Sequence, residues 1–428
     1  MSDTPTFAIV GAGLAGAKAA EALRVEGFDG HVVLLGAEPH RPYERPPLSK
    51  GYLQGSADRD TVFVHPQRWY AEHRIDLRVD TTVTAVDRRA HELVTGDGTR
   101  LRYDKLLLTT GASPRRLPVP GEDLAGVHYL RSLDDSDHLR AAFRPDIRVV
   151  IIGAGWIGLE TAAAARAAGA EVTVLEHAAL PLLRVLGSDM AKVFADLHTE
   201  HGVDLRCGVT VRDLRPATTD PSTVGAVLLA DGSALDADVV VVGVGVAPNI
   251  DLARSCHLGV DDGILVNQHL VTSDDDVLAA GDVANAYHPL LCRQLRVEHW
   301  ANALHQPAVA ARTMLGRTSS YERLPYFFTD QYDLGMEYTG YTHPDSNDQL
   351  VVRGDLAARE FIAFWLHDGS VVAGMNVNVW DVTDPIRALI ESGEPVDPAR
   401  LGDLDVPLTD VAIPRTGQTG ASSRSGRA

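Results

Sequence analysis

Phe7-Ala8-Ile9-Val10-Gly11-Ala12-Gly13-Leu14-Ala15-Gly16 decides the fold, because the chain repeats it as Val149-Val150-Ile151-Ile152-Gly153-Ala154-Gly155-Trp156-Ile157-Gly158. Each copy is an apolar run, then Gly-x-Gly-x-x-Gly, then an Ala-rich stretch that predicts a helix, over 18–24 and 159–168. A second apolar run follows each helix, at 32–35 and 172–175. In such a unit the first glycine permits a tight turn and the second lets the backbone approach a dinucleotide pyrophosphate. The third allows close helix–strand packing, and the helix N-terminus offers amide donors. One such turn is weak evidence. Two, each between a strand and a helix, imply an α/β fold with two Rossmann-like nucleotide-binding modules.

The likeness of the halves extends further. Asp97-Gly98 and Asp231-Gly232 are hairpin signals, each leading to a strand that ends in glycine, at Gly111 and Gly243, and then to Pro114 and Pro248. The segment 263–316 reads as a return to the first module. From Tyr321 onward the composition turns aromatic, and alternating runs such as 361–366 predict the antiparallel sheet of a smaller α+β domain. Residues 412–428 end in Ser, Gly and Arg and are expected to be a disordered tail.

Composition narrows the function. The 428 residues are 45% hydrophobic and 23% charged, ordinary for a chain of two or three domains. No run reaches the ~18–20 apolar residues of a membrane helix, and the N-terminus lacks a secretory pattern. Cys207, Cys256 and Cys292 lie far apart, without disulfide or zinc spacing, so a cytoplasmic setting is expected. A net charge of -19 argues against nucleic acid or an anionic membrane as partner. Docking an acidic protein would need a local basic patch, for which Arg41, Arg45, Arg293, Arg296, Arg312 and Arg317 are candidates. His198 and His201 are expected to be solvated helix residues rather than a metal pair, and 274–276 an acidic turn rather than a calcium loop.

The second strand of the second module ends at Glu176. A carboxylate there accepts from ribose hydroxyls and repels a 2′-phosphate, so NADH is expected rather than NADPH. In the first module Gly36 holds the equivalent place, followed by Ala37 and Glu38.

Three separated segments, Arg41-Pro-Tyr43-Glu-Arg45-Pro-Pro-Leu-Ser-Lys50, residues 153–160 and Leu278-Ala-Ala-Gly281-Asp282, resemble the oxygenase-coupled ferredoxin reductases. That family includes putidaredoxin reductase and the reductase components of aromatic-ring dioxygenases. The resemblance runs from about Phe7 to Leu408 and implies a glutathione-reductase-like architecture. An FAD-binding domain would occupy 1–113 and 244–318, an NAD-binding domain 114–243 and a C-terminal domain 319–411. It implies FAD contacts at Gly11, Gly13, Ala15, Gly16, Ala37, Glu38, Arg45, Lys50, Val83, Arg131, Gly281, Asp282 and Trp300, with Asp282 on the ribityl chain. NAD contacts would fall at Gly153, Gly155, Trp156, Ile157, Gly158, Glu160, Glu176 and Gly245. Lys50 and Glu160 would pair beside the flavin and nicotinamide as the catalytic residues. The helix expected to begin near Asn302, after Glu298-His299-Trp300, would face the flavin with its positive dipole end.

Departures from the family pattern are few. Trp156 stands where an aromatic Tyr or Phe usually gates the nicotinamide pocket, Trp300 is a further large ring at the flavin, and Leu180 replaces a frequent arginine. Disulfide reductases, peroxidases and oxidases of this fold carry redox-active cysteine where this chain has Leu48-Ser-Lys50-Gly. The resemblance therefore implies an NADH:ferredoxin oxidoreductase, passing electrons from NADH through FAD to a small iron–sulfur ferredoxin, [2Fe-2S] or [3Fe-4S]. That partner would supply a cytochrome P450 or Rieske oxygenase. An NADH-linked reductase of quinones or small oxidants, and an NADH-sensing flavoprotein, remain alternatives.

Overall fold

Crowding around the two glycine turns sets the geometry of the first layer. In the computed structural model, which describes residues 4–343 and 348–413, Gly11 has φ +116°, and a Cβ there would lie 2.1 Å from the Thr109 carbonyl oxygen. A Cβ on Gly16 would lie 2.0 Å from the Gly11 carbonyl oxygen. No side chain fits either place. Gly153 and Gly158 repeat the arrangement, with the Gly243 oxygen at 2.3 Å and the Gly153 oxygen at 2.0 Å.

In chain order the elements that position the site are β1 (Thr6–Val10), α1 (Leu14–Val25), β2 (His31–Leu35), β3 (Ile75–Arg78), β4 (Lys105–Leu108), β5 (Val127–His128), β6 (Arg148–Ile152), α2 (Trp156–Ala167), β7 (Glu171–Glu176), α3 (Leu183–Glu200), β8 (Asp204–Cys207), β9 (Val239–Val242), β10 (Val277–Ala279), α4 (Trp300–Met314) and β11 (Tyr326–Gln331). The first ten strands form two parallel five-stranded sheets, ordered β10-β4-β1-β2-β3 and β8-β7-β6-β9-β5. Both faces of such a sheet are covered, which is why the strands read as unbroken apolar runs rather than alternating ones. Ile9, Leu34, Leu107 and Leu278 are buried in the first core, and Val150, Val240 and Val242 in the second.

The helices start earlier than composition suggests. α1 opens at Leu14 rather than 18, α2 at Trp156 rather than 159, and α4 at Trp300 rather than 302. Gly13 and Gly155 are the N-caps of α1 and α2, and neither helix has a side-chain cap. The glycine motifs thus contribute their own last residues to the first helical turn, leaving its amides open to an anion.

The chain divides into two compact units, Met1–Gly335 and Met336–Ala428. The second is entered by β12 (Leu334–Gly340) and continues through β13 (Gln349–Asp355), β14 (Glu360–His367) and β15 (Ser370–Val377), an antiparallel sheet in the order β12-β15-β14-β13. α5 (Thr383–Ser392) packs on it through Ile386, beside buried Phe364 and Leu401. Of the expected tail, Ala412 bridges to Val396, and residues 414–428 lie outside the described residues. No helix among the described residues is long and apolar enough to cross a membrane.

One expectation is overturned here. His198 is fully buried rather than solvated, and its Nε2 lies 2.8 Å from Gln331 Oε1. Met190, Phe194 and Leu197 mark the inner stripe of α3, and position 198 falls on the same stripe. His201, which caps that helix, stacks on Tyr332 with ring centres 3.8 Å apart. The acidic stretch 274–276 is a turn in which Asp274 accepts from the Asp276 amide and pairs with Arg88.

Candidate active site

A cavity of about 540 Å³ opens at the first glycine turn and runs to the N-terminal end of α2. At one end Gly11, Gly13 and Ala15 line it, with Ala37 and Glu38 just beyond β2. A Cβ on Gly13 would meet nothing within 4 Å, so this glycine leaves open space where Gly11 and Gly16 fill theirs. Gly16 packs inward and does not line the cavity.

The middle is strongly polar. Arg45 donates from Nη2 to Glu38 Oε1 at 3.1 Å and from Nη1 to the Arg131 carbonyl. Tyr43 donates to the other oxygen of Glu38. Arg131 donates from Nη2 to Asp282 Oδ2 at 2.8 Å, while its buried Nε has no protein partner. Burial, and then the neighbouring Arg45, holds the Arg131 guanidinium below the usual arginine range against the pull of Asp282. Two arginines sharing a cavity wall, one with an orphaned N–H, fit a bound anion such as a pyrophosphate. Gly281, at φ +78°, donates its amide to Gln306 Oε1 at 2.8 Å and sets Asp282 on the wall. Val83 completes this part of the lining.

The far end gathers aromatic rings around one ion pair. Lys50 Nζ donates to Glu160 Oε1 at 2.7 Å, and the Glu160 side chain is only 3% exposed. Lys50 stands 5.3 Å from the centre of the Phe328 ring, which meets Trp300 edge-on at 5.9 Å. Trp300, the first residue of α4, donates Nε1–H to Glu44 at 2.9 Å. Trp156 lies between Phe194 and Phe327, with centres at 5.4 and 5.0 Å, and Ile157 lines the cavity beside it.

His299 is the N-cap of α4. It is half-buried at the cavity wall, and its Nδ1 is buried without a protein partner. Burial pushes its pKa down to about 4, and does the same to His198. Both rings bind a proton more readily in the unfolded chain, near 6.5, so the stability they contribute is intact above about pH 6.5. It is lost as pH falls toward 4. We expect melting temperature to fall through that window, each histidine contributing on the order of 1–3 kcal/mol. A His299→Leu variant should show a shallower fall on a thermal-melt series from pH 7.5 to 4; an equally steep one removes His299 from the account.

The second glycine turn lies apart from this lining. Gly153, Gly155, Gly158, Glu176 and Gly245 are not on the cavity wall, although Trp156, Ile157 and Glu160 of the same segment are. Glu176 accepts from the Ala154 amide at 2.7 Å and the Ala178 amide at 2.8 Å, one on each oxygen. The carboxylate is thus fixed at the end of β7 with one lone pair per oxygen remaining for other donors. A Cβ on Gly155 would meet nothing within 4 Å, the counterpart of Gly13.

The six arginines proposed for docking form no free basic patch. Arg45 lines the cavity, Arg296 pairs with Asp262 and Glu298, Arg312 and Arg317 both bind Glu26, and Arg41 stacks on Phe63 and meets Asp60. Arg293 is also engaged. With acidic residues outnumbering basic ones, five of the six have a carboxylate partner. No cysteine lines the cavity, and all three thiols are free.

Comparison with known proteins agrees with this geometry. The family profile for pyridine nucleotide-disulphide oxidoreductase matches residues 5–306, and that for the reductase C-terminal region matches 326–412. The chain is 38% identical to putidaredoxin reductase of Pseudomonas putida, covering 96% of this chain and 97% of that one. It is 41% identical to the ferredoxin--NAD(+) reductase component of the anthranilate 1,2-dioxygenase system of Burkholderia cepacia, over 95% and 99%. The reductase in the crystal structure of the covalent putidaredoxin reductase–putidaredoxin complex superposes with a TM-score of 0.91, at 38% identity, covering 95% of this chain and 98% of that one. The chain belongs to the pyridine nucleotide-disulphide oxidoreductase family, in the form that carries the reductase C-terminal domain.

Proposed function

We propose that this protein is an FAD-dependent NADH:ferredoxin oxidoreductase that works in the cytoplasm and supplies an oxygenase, of the cytochrome P450 or Rieske type, through a small iron–sulfur protein. The observation that carries the reading is the far end of the cavity, where Lys50 and Glu160 pair and no thiol is within the lining. Held there by these residues, FAD would supply the conversion of a two-electron hydride donor's reducing power into single-electron transfer.

The chain's own residues do the rest. Gly11, Gly13 and Ala15 admit the FAD pyrophosphate to the open first turn of α1, with Gly16 keeping that helix against β1. Arg45 and Arg131 would neutralise its charge, Glu38 and Ala37 would bound the adenosine half, Asp282 with Gly281 would hold the ribityl chain, Val83 would add an apolar contact to FAD, and Trp300 would lie at the flavin ring. The N-terminus of α4, whose Trp300 lines the cavity, would put its positive dipole end toward a bound flavin and favour added negative charge. Gly153, Gly155 and Gly158 would do for NADH at α2 what their counterparts would do for FAD at α1, with Glu176 excluding a 2′-phosphate and Gly245 as a further NAD contact. Trp156, Ile157 and Glu160 shape the nicotinamide pocket. The FAD-binding part is 1–113 with 244–318, the NAD-binding part 114–243 and the C-terminal domain 319–411.

The test is anaerobic stopped-flow mixing of the NADH-reduced protein with a [2Fe-2S] and with a [3Fe-4S] ferredoxin. Cluster reduction in milliseconds to seconds supports the reading. No transfer to either, with rapid turnover of a quinone or small oxidant, overturns it. Because the candidate arginines are already paired, the second-order rate should fall by less than about threefold between 50 and 300 mM salt. A steep fall would reveal a basic docking patch elsewhere on the surface.

A further inference from the structure

Behind the ion pair, Glu160 is the end of a buried chain of hydrogen bonds that the reaction as described does not use. Thr329 Oγ1 lies 2.6 Å from Glu160 Oε1, Gln331 Nε2 3.1 Å from Thr329 Oγ1, and His198 Nε2 2.8 Å from Gln331 Oε1. Tyr332 Oη lies 3.3 Å from His198 Nδ1. Glu160, Thr329, Gln331 and His198 are each buried to 3% exposure or less.

Every link in this chain has only one direction open to it. Glu160 Oε1 accepts from the Lys50 ammonium, so it carries no proton, and Thr329 must donate to it. The Thr329 hydroxyl has then spent its single hydrogen and must accept from the Gln331 amide N–H. That turns Gln331 Oε1 toward His198, whose Nε2 must therefore carry the ring proton. Nδ1 is bare and accepts from Tyr332. The ring is held neutral by burial, and burial also raises the Tyr332 phenol, which keeps its proton. All donors point one way, from Tyr332 to Glu160. The chain is not a proton wire, because an amide in its middle cannot pass a proton on without losing its own bonding pattern. It is a line of aligned dipoles, each strengthening the next.

Counting acceptor sites shows what this does. A carboxylate offers about four lone-pair positions. Lys50 and Thr329 fill both on Oε1, and Ser49 Oγ, at 2.5 Å, fills one on Oε2. One position remains on Oε2, on a residue that lines the cavity.

We propose that Thr329, Gln331, His198 and Tyr332 are positioning residues that fix the Glu160 carboxylate so that its one remaining acceptor site selects an N–H donor, the carboxamide of the bound nicotinamide. The proposal rests on the reading that NADH places its nicotinamide at this end of the cavity. Free rotation of Glu160 would let it meet ligands with and without that N–H equally well; a fixed Oε2 discriminates.

The experiment compares, by titration calorimetry on the FAD-loaded protein, the affinities for NAD+ and for 3-acetylpyridine adenine dinucleotide, which replaces the carboxamide NH2 by a methyl group. The wild type should prefer NAD+ about tenfold, the scale of one hydrogen bond to a charged group. Thr329→Val should bring the preference below about threefold, and Thr329→Ser, which restores the hydroxyl, should recover it. A general structural defect would weaken both ligands alike and leave their ratio unchanged. An unchanged ratio in Thr329→Val overturns the proposal. Should that variant yield no folded protein, Gln331→Met and Tyr332→Phe read the same ratio, with the larger loss expected for the nearer residue. Unaltered ratios in both likewise overturn it. Anaerobic bleaching of the wild-type flavin by NADH separates the two levels: if NADH does not reduce it, the functional reading fails and takes this inference with it. If reduction is normal and the ratio is insensitive, the inference alone fails.

Discussion

Replacing Lys50 with Met should destabilise the protein by about 3–5 kcal/mol, because it strands a buried carboxylate without its cation. Glu160 is 3% exposed and Lys50 14%, so water cannot take over the role of the ammonium. Ser49 and Thr329 still donate to Glu160 and place the effect toward the lower end of that range. The same change should slow flavin reduction by NADH about 100-fold, the usual scale for removing one preorganised polar group from a reacting site. The double variant Lys50→Met with Glu160→Gln separates the two effects. Stability should largely return, because no charge is left buried, while the rate should stay low. Urea unfolding and anaerobic stopped-flow on both variants give the cycle. Equal stability of the single and double variants would show that the pair is not coupled as the geometry requires.

The parts of this site that were legible in the sequence are those written locally. Gly16 and Gly158 answer to clashes within one strand–turn–helix unit, so the spacing of the motif announces them, although the Thr109 and Gly243 carbonyls that Gly11 and Gly153 clear come from a distant strand end. Glu176 is similarly a matter of where one strand ends. The Lys50–Glu160 pair joins residues 110 positions apart and became visible only through resemblance to a family.

Thr329 and Gln331 gave no signal, and the reason is physical. In β11 they share one face, alternating with Phe328 and Asp330, and binary patterning assigns a polar pair of that kind to solvent. Burial instead came with a full set of partners, which pattern cannot see. His198 is similar: its spacing to His201 suggests a polar pair, whereas its burial follows from the apolar stripe of Met190, Phe194 and Leu197 that contains it. The signal is present in the sequence as the position of 198 on that helical stripe. Which of the candidate docking arginines would be paired within the chain was equally illegible, since ion pairing on an acidic surface depends on which anions the fold brings near.

The two open glycines give the sharpest separation of the nucleotide sites. Gly13 and Gly155 have backbone angles any residue adopts, φ -92° and -80°, and an added Cβ meets no protein atom within 4 Å. The apoprotein should therefore tolerate alanine at both with little change in melting temperature. A methyl group placed where a pyrophosphate approaches the backbone costs about 1–3 kcal/mol of binding, or roughly 5–150-fold in affinity. Gly13→Ala should yield folded protein that loses its yellow colour on dilution. Gly155→Ala should keep its FAD and show an NADH KM raised about 10–100-fold at nearly unchanged kcat. Gly16→Ala, whose Cβ would sit 2.0 Å from a backbone oxygen, should instead fail to fold. The contrast is what carries the argument, since a protein that merely disliked substitution in its glycine turns would treat the three alike. Loss of FAD from Gly155→Ala, or intact FAD in Gly13→Ala with weakened NADH, would mean the two modules hold the opposite nucleotides.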